Sequence, residues 1–246
     1  MIKGLSIFLS LTLLIGNNPV SLAKSDVGGI SLGGTRIIFD GSKDTASINV
    51  NNSSSLDVWL MRFWISPYSD KQNEQTQKVN IPFVITPPLY RLDPQSSVQL
   101  RINRLTNDLP VDRESVFYLN NLAIPPKKGE KNYQKSVQNG LQFAVNTRIK
   151  LFYRPSGIDD SAALKVAPEK LTVTSLNNYI VVKNPTPWFI TMSQLSINGK
   201  RVQTENDTML SPFGELRLPT DKLHGIFSYH TIDDRGMTTP KISKTF

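Results

Sequence analysis

Short apolar runs, separated every few residues by clusters of Gly, Pro, Asn, Asp and Ser, are the dominant pattern of this sequence. Runs rich in Val, Ile, Phe, Leu and Thr with this spacing are typical of the strands of β-sandwiches. Beyond residues 1–23, no stretch repeats its apolar residues at helical spacing for long enough to indicate a helix. The sequence therefore predicts an all-β protein. The predicted strands are Ile30–Phe39, Ala46–Asn51, Val58–Ile65, Phe83–Thr86, Val98–Arg104, Ser115–Leu122, Val137–Tyr153, Leu171–Ser175, Tyr179–Asn184, Phe189–Ile197, Glu215–Leu218, Gly225–Ile232 and Lys241–Phe246.

The segment 154–163 interrupts this pattern, since it combines a proline, a glycine and small residues without alternation. A segment of that composition is typical of a linker between domains. Seven predicted strands precede it, as an immunoglobulin-like sandwich requires, and the strands that follow include a two-residue hairpin turn at Asn198-Gly199. We therefore predict two immunoglobulin-like β-sandwich domains, at residues 24–155 and 156–246.

Residues 1–23 have the composition of a secretory signal peptide. Lys3 supplies a basic start, Leu5–Ile15 form an apolar run, and Ser21-Leu22-Ala23 provides the small residues of a cleavage site. The run is shorter than the roughly 20 apolar residues that a membrane helix needs. We therefore expect cleavage near Ala23 and an exported mature protein that begins near Lys24, in preference to an uncleaved membrane anchor.

The chain contains no cysteine and carries a formal charge of +8 at pH 7. The lack of cysteine excludes thiol catalysis and cysteine-based metal sites, and it implies that two ordinary hydrophobic cores hold the exported protein together. The excess of positive charge could indicate binding to nucleic acid, to anionic lipid or to an acidic protein. Because an exported protein is a poor candidate for binding nucleic acid, an acidic protein partner is the better interpretation.

The sequence offers no convincing arrangement for catalysis or metal binding. His224 and His230 have no ligand or nucleophile at a useful spacing, and the sequence lacks the motifs of serine hydrolases, phosphate-binding loops and zinc proteases. Asp233 and Asp234 are adjacent, so in a strand they would point apart, and a turn is the better interpretation. The sequence therefore predicts a binding protein rather than an enzyme, with no cofactor, nucleotide or metal.

One segment, LPVDRESVFYLN at Leu109–Asn120, carries a family signature. With its continuation to Ile124-Pro125-Pro126, it resembles the periplasmic pilus chaperones of the chaperone–usher pathway (PapD-like). Asn121 departs from that family's pattern, which usually has an aliphatic residue there, and we expect a small local change in packing. The resemblance implies two immunoglobulin-like domains set at an angle with a cleft between them. It extends to Thr35–Phe39, Pro82–Leu92 and Thr147–Pro155.

The resemblance also implies a mechanism, in which the chaperone lends a β-strand to a pilus subunit that lacks its own last strand. Leu141, Phe143 and Val145 stand two residues apart, so they share one face of a strand. Alternation alone favours a face turned towards the chain's own core, whereas the resemblance favours insertion into the open groove of the subunit. It further implies delivery of the subunit to an outer-membrane usher without ATP.

Two basic residues, Arg36 and Lys150, match those that hold the terminal carboxylate of the subunit in this family. A carboxylate between two cations in a partly dry cleft gains charge-assisted hydrogen bonds. Strict alternation places Lys150 on the opposite face from Leu141, so a twist, a bulge or the length of the lysine side chain must reconcile the two. The sequence leaves these three explanations open.

A second charged group, Glu114, Arg154 and Asp234, matches a trio that holds the two domains at their angle in this family. Thr86-Pro87 lies where the family tends to have a cis peptide bond. The short connection before the donor strand resembles the short-loop branch of the family. We interpret the charged trio as structural, whereas the short connection predicts the subclass that the resemblance links to rod-like pili, and the sequence alone leaves the state of the Thr86-Pro87 bond open.

Two other classes of function remain open on the sequence alone. An exported adhesin or surface-binding protein made of two sandwiches would explain the fold and the signal, but not the joint presence of Arg36, Lys150 and the alternating triplet. A β-rich periplasmic hydrolase would need a catalytic arrangement that the sequence lacks. The identity of the client subunit and self-association of the subunit-free chaperone also stay open.

Overall fold

The computed structural model describes residues 28–68, 80–125, 143–204 and 207–246, and the predicted signal peptide lies outside them. Within these ranges the chain forms seventeen strands and one α-helix, and no helix is long and apolar enough to pass through a membrane. The strands of the first half are β1 (Ile30–Leu32), β2 (Arg36–Asp40), β3 (Thr45–Asn52), β4 (Trp59–Pro67), β5 (Phe83–Thr86), β6 (Leu89–Leu92), β7 (Ser97–Arg104), β8 (Ser115–Ile124) and β9 (Val145–Arg154). Those of the second half are β10 (Thr172–Leu176), β11 (Tyr179–Lys183), β12 (Ile190–Ile197), β13 (Lys200–Arg201), β14 (Met209–Leu210), β15 (Glu215–Pro219), β16 (Ile226–Thr231) and β17 (Ile242–Thr245).

The first half folds into two facing sheets. One has the strand order β1-β3-β7-β5, and the other has the order β2-β9-β8-β4-β6. Neighbouring strands are antiparallel except β2 and β9, which run parallel. Alternate residues along β3, β4 and β7 are buried, so each sheet turns one apolar face towards a shared core. The fully buried members of this core include Phe39, Met61, Phe63, Leu100 and Leu119.

The second half forms a sandwich with its own core. One sheet has the order β10-β11-β15, and the other has the order β13-β12-β16-β17, with β14 added beside β12. The predicted hairpin turn is confirmed, because Asn198 and Gly199 have positive φ angles of 48° and 78° and join β12 to β13. The predicted fold class, all-β with two immunoglobulin-like sandwiches, is also confirmed. The core of this half includes Ile180, Val182, Leu218, Phe227 and Tyr229.

The connection between the sandwiches contains a helix that the sequence pattern did not predict. The helix α1 (Ser161–Val166) lies between 3-10 turns at Ser156–Ile158 and Ala167–Lys170. Asp160 caps it by accepting hydrogen bonds from the backbone N–H groups of the second and third helical residues, at 2.9 and 3.0 Å. A helix of fewer than two turns is too short to show apolar periodicity, which is why the pattern indicated only a linker.

The strand β9 links the core of the first sandwich to the boundary with the second. It begins at Val145, whereas the sequence pattern placed the start of this strand at Val137, and residues 126–142 lie outside the described residues. It ends at Arg154, directly before the connection that leads to the second sandwich. The Thr86-Pro87 peptide bond, elsewhere in the first sandwich, is cis.

Candidate functional site

The register of β9 decides which way its side chains point. It pairs with β8 in an unbroken antiparallel ladder that runs from Val145, opposite Ala123, to Tyr153. Because this ladder contains no bulge, the side chains alternate strictly from one face of the sheet to the other. Leu151 is fully buried in the core of the first sandwich. Val145 therefore lies on the core-facing side of the sheet, and Lys150 projects from the outer side.

The two predicted anchor cations are neighbours. Arg36 lies directly opposite Lys150 in the parallel ladder between β2 and β9. Residues opposite each other in a sheet project from the same face, so both cations lie on its outer face. Arg36 also lines a cleft between the two sandwiches, together with Phe152 of the first and Phe189 and Ile232 of the second. The two cations therefore lie where the sandwiches meet.

Arg36 reaches across the cleft. Its Nη1 donates a hydrogen bond to the carbonyl oxygen of Ile232 at 3.2 Å, and its guanidinium carbon lies 5.7 Å from the centre of the Phe152 ring. Burial lowers the pKa of this guanidinium, although the nearby carboxylates of Asp234 and Asp233 oppose the shift. Its Nε is buried and has no hydrogen-bond partner among the described residues. A buried donor of this kind is suited to a ligand that brings an acceptor.

Lys150 contacts the second sandwich through Asp207. Its Nζ donates a hydrogen bond to Oδ2 of Asp207 at 3.1 Å, and the hydroxyl of Tyr68 donates to the same oxygen at 2.7 Å. The lysine ammonium also lies 5.6 Å from the centre of the Tyr68 ring. Partial burial alone would raise the pKa of Asp207, but the Tyr68 hydroxyl and the Lys150 charge lower it overall. The carboxylate is therefore ionised at neutral pH and paired with the lysine.

Sequence reasoning missed both Tyr68 and Asp207. They are separated by 139 positions, and they meet because the second sandwich docks against the outer face of the sheet that contains β9. Neither residue belongs to a motif or to an apolar repeat, so no local signal in the sequence pairs them. The arrangement of the two sandwiches places Asp207 beside Lys150, whereas Tyr68 reaches the lysine within the first sandwich, because it follows β4 and packs on Tyr118 of β8.

The three members of the predicted interdomain trio are brought together beside the cleft. Arg154 Nε donates to Oε1 of Glu114 at 2.8 Å, and its two terminal nitrogens donate to the two carboxylate oxygens of Asp234 at 2.8 and 2.9 Å. The other oxygen of Glu114 accepts from the backbone N–H of Phe189 at 2.8 Å. Burial alone would lower the pKa of Arg154, but Asp234 and Glu114 raise it overall. The arginine side chain is 7% exposed and that of the glutamate 2%, whereas that of Asp234 is 39% exposed, so the trio is buried on the side of the first sandwich and open to solvent at Asp234.

The first half of β9 has an open edge. The strand β2 pairs with it along Lys150–Arg154. Residues Val145–Ile149 pair with β8 on one side, and no strand of the described chain pairs with them on the other. Phe143 and Val145 are 64% and 53% exposed, so these two members of the predicted triplet are not packed in the chain's own core. The third member, Leu141, lies outside the described residues.

Asn121 lies in the core beneath this open edge. It stands opposite Thr147 of β9, is buried, and shares the core-facing side of β8 with Leu119 and Ala123. Its Oδ1 has no hydrogen-bond partner among the described residues. A buried amide oxygen without a donor destabilises an apolar core. The packing change expected at this position therefore takes the form of a polar atom in the core.

The other residues singled out in the sequence take part in ordinary structural contacts. His230 Nδ1 lies 2.8 Å from the carbonyl oxygen of Thr239. Asp233 Oδ1 accepts hydrogen bonds from the backbone N–H groups of Arg235 and Met237 at 3.0 and 2.8 Å, which confirms the predicted turn. Over the described ranges, no three His, Cys, Asp or Glu side chains are grouped as metal ligands.

Comparison with known proteins identifies the family that has this fold and cleft. The profile described as pili and flagellar-assembly chaperone, PapD N-terminal domain, matches residues 29–159, and that of pili assembly chaperone PapD, C-terminal domain, matches residues 166–243. The chain belongs to the PapD-like pilus chaperone family. This chaperone therefore acts in pilus assembly, where it binds and stabilises pilus subunits and delivers them to the usher. That role is one of binding, not of catalysis.

Relatives and solved structures extend over most of the chaperone. It is 39% identical over 217 residues to the chaperone protein LpfB of Salmonella typhimurium strain LT2, which covers 87% of each chain. The crystal structure of the periplasmic chaperone SfaE aligns with a TM-score of 0.69 and 32% identity, over 87% of this chain and 98% of that one. A chain from the structure of the Salmonella enterica SafA pilin in complex with the SafB chaperone aligns with a TM-score of 0.72 and 26% identity, over 89% of this chain and 96% of that one.

Proposed function

We propose that the chaperone completes a pilus subunit with the first half of β9 and holds the subunit's terminal carboxylate between Arg36 and Lys150. The observation that supports this most directly is the point at which β2 begins. The open edge of β9 ends there, and the first pair of the ladder between the two strands is Arg36 opposite Lys150. Both cations therefore stand at the end of the edge that a subunit strand would join.

This placement also sets the direction of the added strand. A strand that joins β9 along Val145–Ile149 lies in line with β2. If it runs parallel to β9, as β2 does, its last residue meets Arg36 and Lys150. If it runs antiparallel, its carboxyl end lies far from both cations. Because a carboxylate gains charge-assisted hydrogen bonds from the two cations, the parallel direction is favoured.

The electrostatics of the cleft suit this ligand. A carboxylate beside Arg36 would give the buried Nε the acceptor that it lacks among the described residues. A hydrogen bond to a charged group contributes about 1.5–3 kcal/mol. The anchor would also fix the register of the added strand, since a shift by one residue would turn every side chain to the other face.

Exposed apolar side chains supply a second part of the affinity. Phe143 and Val145 extend the core-facing row of β9 past the point at which the chain's own core covers it. We expect Leu141 to continue this row into the open groove of the subunit. Each apolar side chain buried there would contribute roughly 1.5–3 kcal/mol. Covering this groove and its unpaired edge would keep the subunit from aggregating.

The remaining assignments concern the frame around this site. Glu114, Arg154 and Asp234 would hold the two sandwiches, at residues 24–155 and 156–246, at a fixed angle across the cleft. Export to the periplasm would follow removal of a signal peptide near Ala23. The adhesin and hydrolase alternatives gain no support from the family matches, which describe chaperones of pilus assembly.

Co-purification from the periplasm tests this function. The wild-type chaperone is expected to carry a pilin at a one-to-one ratio, whereas Arg36→Ala and Lys150→Ala should stay folded, as judged by circular dichroism, and lose the pilin. Arg101→Ala removes an exposed arginine from β7 of the opposite sheet and should retain it. Undiminished recovery of pilin with either anchor variant would contradict the anchor.

The same assay tests the donated strand. Phe143→Glu should abolish pilin recovery, because it places a charge in an apolar groove. Leu105→Glu changes another exposed apolar side chain of the first sandwich and serves as the matched control. Normal pilin recovery with Phe143→Glu would show that this row of side chains does not enter the subunit.

A further inference from the structure

Asp207 already places a carboxylate on one of the two anchor cations. Its Oδ2 accepts hydrogen bonds from the Lys150 ammonium at 3.1 Å and from the Tyr68 hydroxyl at 2.7 Å. The side chains of Lys150 and Asp207 are 20% and 29% exposed, so the pair lies at the border of the cleft and within reach of solvent. The group that holds Lys150 is thus of the same chemical class as the ligand that this lysine is proposed to bind.

Among the described residues no carboxylate forms a direct ion pair with the other anchor cation, Arg36, although Asp234 and Asp233 lie near it. Arg36 donates through Nη1 to the carbonyl oxygen of Ile232, and its Nε is unsatisfied among the described residues. A peptide carbonyl is a weaker acceptor than a carboxylate. An incoming carboxylate therefore finds one cation, Arg36, ready to bind and the other, Lys150, already neutralised.

The surroundings of Asp207 allow it to release the lysine. Its Oδ1 accepts from the backbone N–H of Met209 at 3.0 Å, and the Tyr68 bond does not involve Lys150. Without the lysine, Asp207 would keep both of these hydrogen bonds and its access to solvent. Glu114 beside Arg154 differs, because it is nearly fully buried and would be left as an unpaired charge.

From this geometry we propose that Asp207 is an internal substitute for the subunit carboxylate, which occupies Lys150 in the free chaperone and is displaced when a subunit docks. The inference rests on the function proposed above. Tyr68 positions Asp207 for this exchange. In the free chaperone the contacts of Asp207 with Tyr68 and Lys150 join the two sandwiches. A ligand without a carboxylate cannot take the place of Asp207 on Lys150, so these contacts oppose its binding. Subunit binding is therefore weaker, and more selective for a free carboxyl end, than the two cations alone would make it.

Competition between the wild-type chaperone and its variants for a limiting amount of the same pilin tests the exchange. Asp207→Asn keeps the shape of the side chain and removes its charge, so at equilibrium the variant should bind the pilin about three- to tenfold more tightly than the wild type, which is the effect of one partly exposed ion pair in the free state. Asp207→Ala should act in the same direction, which keeps the test valid if one variant folds poorly. Asp221→Asn, which breaks an exposed ion pair with Lys222 in the same sandwich, should leave the affinity unchanged.

A second form of the same pilin separates exchange from a general change in the cleft. When its carboxyl end is extended by a short Gly-Ser tail, no carboxylate reaches Lys150, and Asp207→Asn should no longer raise the affinity. A lower or unchanged affinity of Asp207→Asn for the untagged pilin would overturn the exchange, since Asp207 would then support the bound state or play no part in the equilibrium. Failure of the wild-type chaperone to carry any pilin would instead contradict the proposed function.

Discussion

Along β9, the half from Val145 to Ile149 and the half from Lys150 to Arg154 have different surroundings. The second half has a strand on each edge, and its residues after Lys150 are buried. The first half has a strand on one edge, and four of its five residues are exposed. The buried half holds the strand in the fold, so the exposed half is already extended before a ligand arrives. Such preorganisation lowers the conformational entropy that binding must remove.

The largest expected effect comes from breaking the buried half. Arg154→Ala leaves Glu114 buried without its charged partner, so we expect the free energy of unfolding to fall by about 3–5 kcal/mol. Arg148→Ala removes the same kind of side chain from the exposed half, where it lies 4.2 Å from the centre of the Tyr118 ring. That loss should be about 1 kcal/mol or less. Chemical denaturation of both variants measures the contrast, and equal losses would contradict the division of the strand.

A smaller effect, of opposite sign, is expected beneath the exposed half. Asn121→Val replaces a buried amide, whose Oδ1 has no partner among the described residues, by an apolar side chain. We expect the free energy of unfolding to rise by about 1–2 kcal/mol. The neighbouring Asn120 is the control, because its Nδ2 donates to Ser66 Oγ at 2.9 Å and Asn120→Val should destabilise the protein. Urea titration distinguishes the two, and a loss of stability in Asn121→Val would show that this amide is satisfied.

The smallest expected effect is a change in thermal stability at Lys150, where the two halves of β9 meet and where Asp207 pairs with the lysine. Partial burial opposes ionisation of Asp207, but Tyr68 and Lys150 lower its pKa below the value of about 3.9 in an unfolded chain. The stabilisation from a depressed carboxyl pKa is complete above the unfolded pKa and disappears as the pH falls through the folded one. The wild-type chaperone should therefore melt slightly above Asp207→Asn at pH 7, and the difference should vanish well below about pH 4. A difference that stays constant from pH 7 to pH 3 would mean that the charge of Asp207 does not contribute.

The sequence predicted the fold much more completely than it predicted the geometry of the site. Alternating apolar residues and turn residues such as Asn198-Gly199 act locally, so most strands and the hairpin could be predicted from short segments. Two predictions were incomplete: Ile30–Phe39, predicted as one strand, forms β1 and β2 in different sheets, and β6 was not predicted. The resemblance named Arg36 and Lys150, but their position opposite each other depends on a parallel pairing between segments more than a hundred residues apart. Alternation alone predicted that Val145 and Lys150 lie on opposite faces, but only the register of β9 shows that no bulge interrupts the alternation in its described part.

Contacts between the sandwiches were the least predictable. Tyr68 and Asp207 meet because the two sandwiches dock against each other. Neither segment contains a motif or an apolar repeat that would indicate contact with the other. Arg154 was indicated by resemblance alone, since an arginine at the end of a strand is usually solvated. The helix α1 was not predicted, because its six residues are too few to show a helical repeat of apolar residues.

The parallel pairing of β2 with β9 has a consequence for the length of a client. Since β2 occupies the edge from Lys150 onwards, an added strand cannot advance beyond Arg36 without colliding with the chaperone's own backbone. If a client binds as proposed, the start of β2 would limit how far its strand can advance, and the stretch from Phe143 to Lys150 would set the length of the client's last strand. Clients of different sequence would then share one spacing between their final residue and the pockets that receive the apolar row.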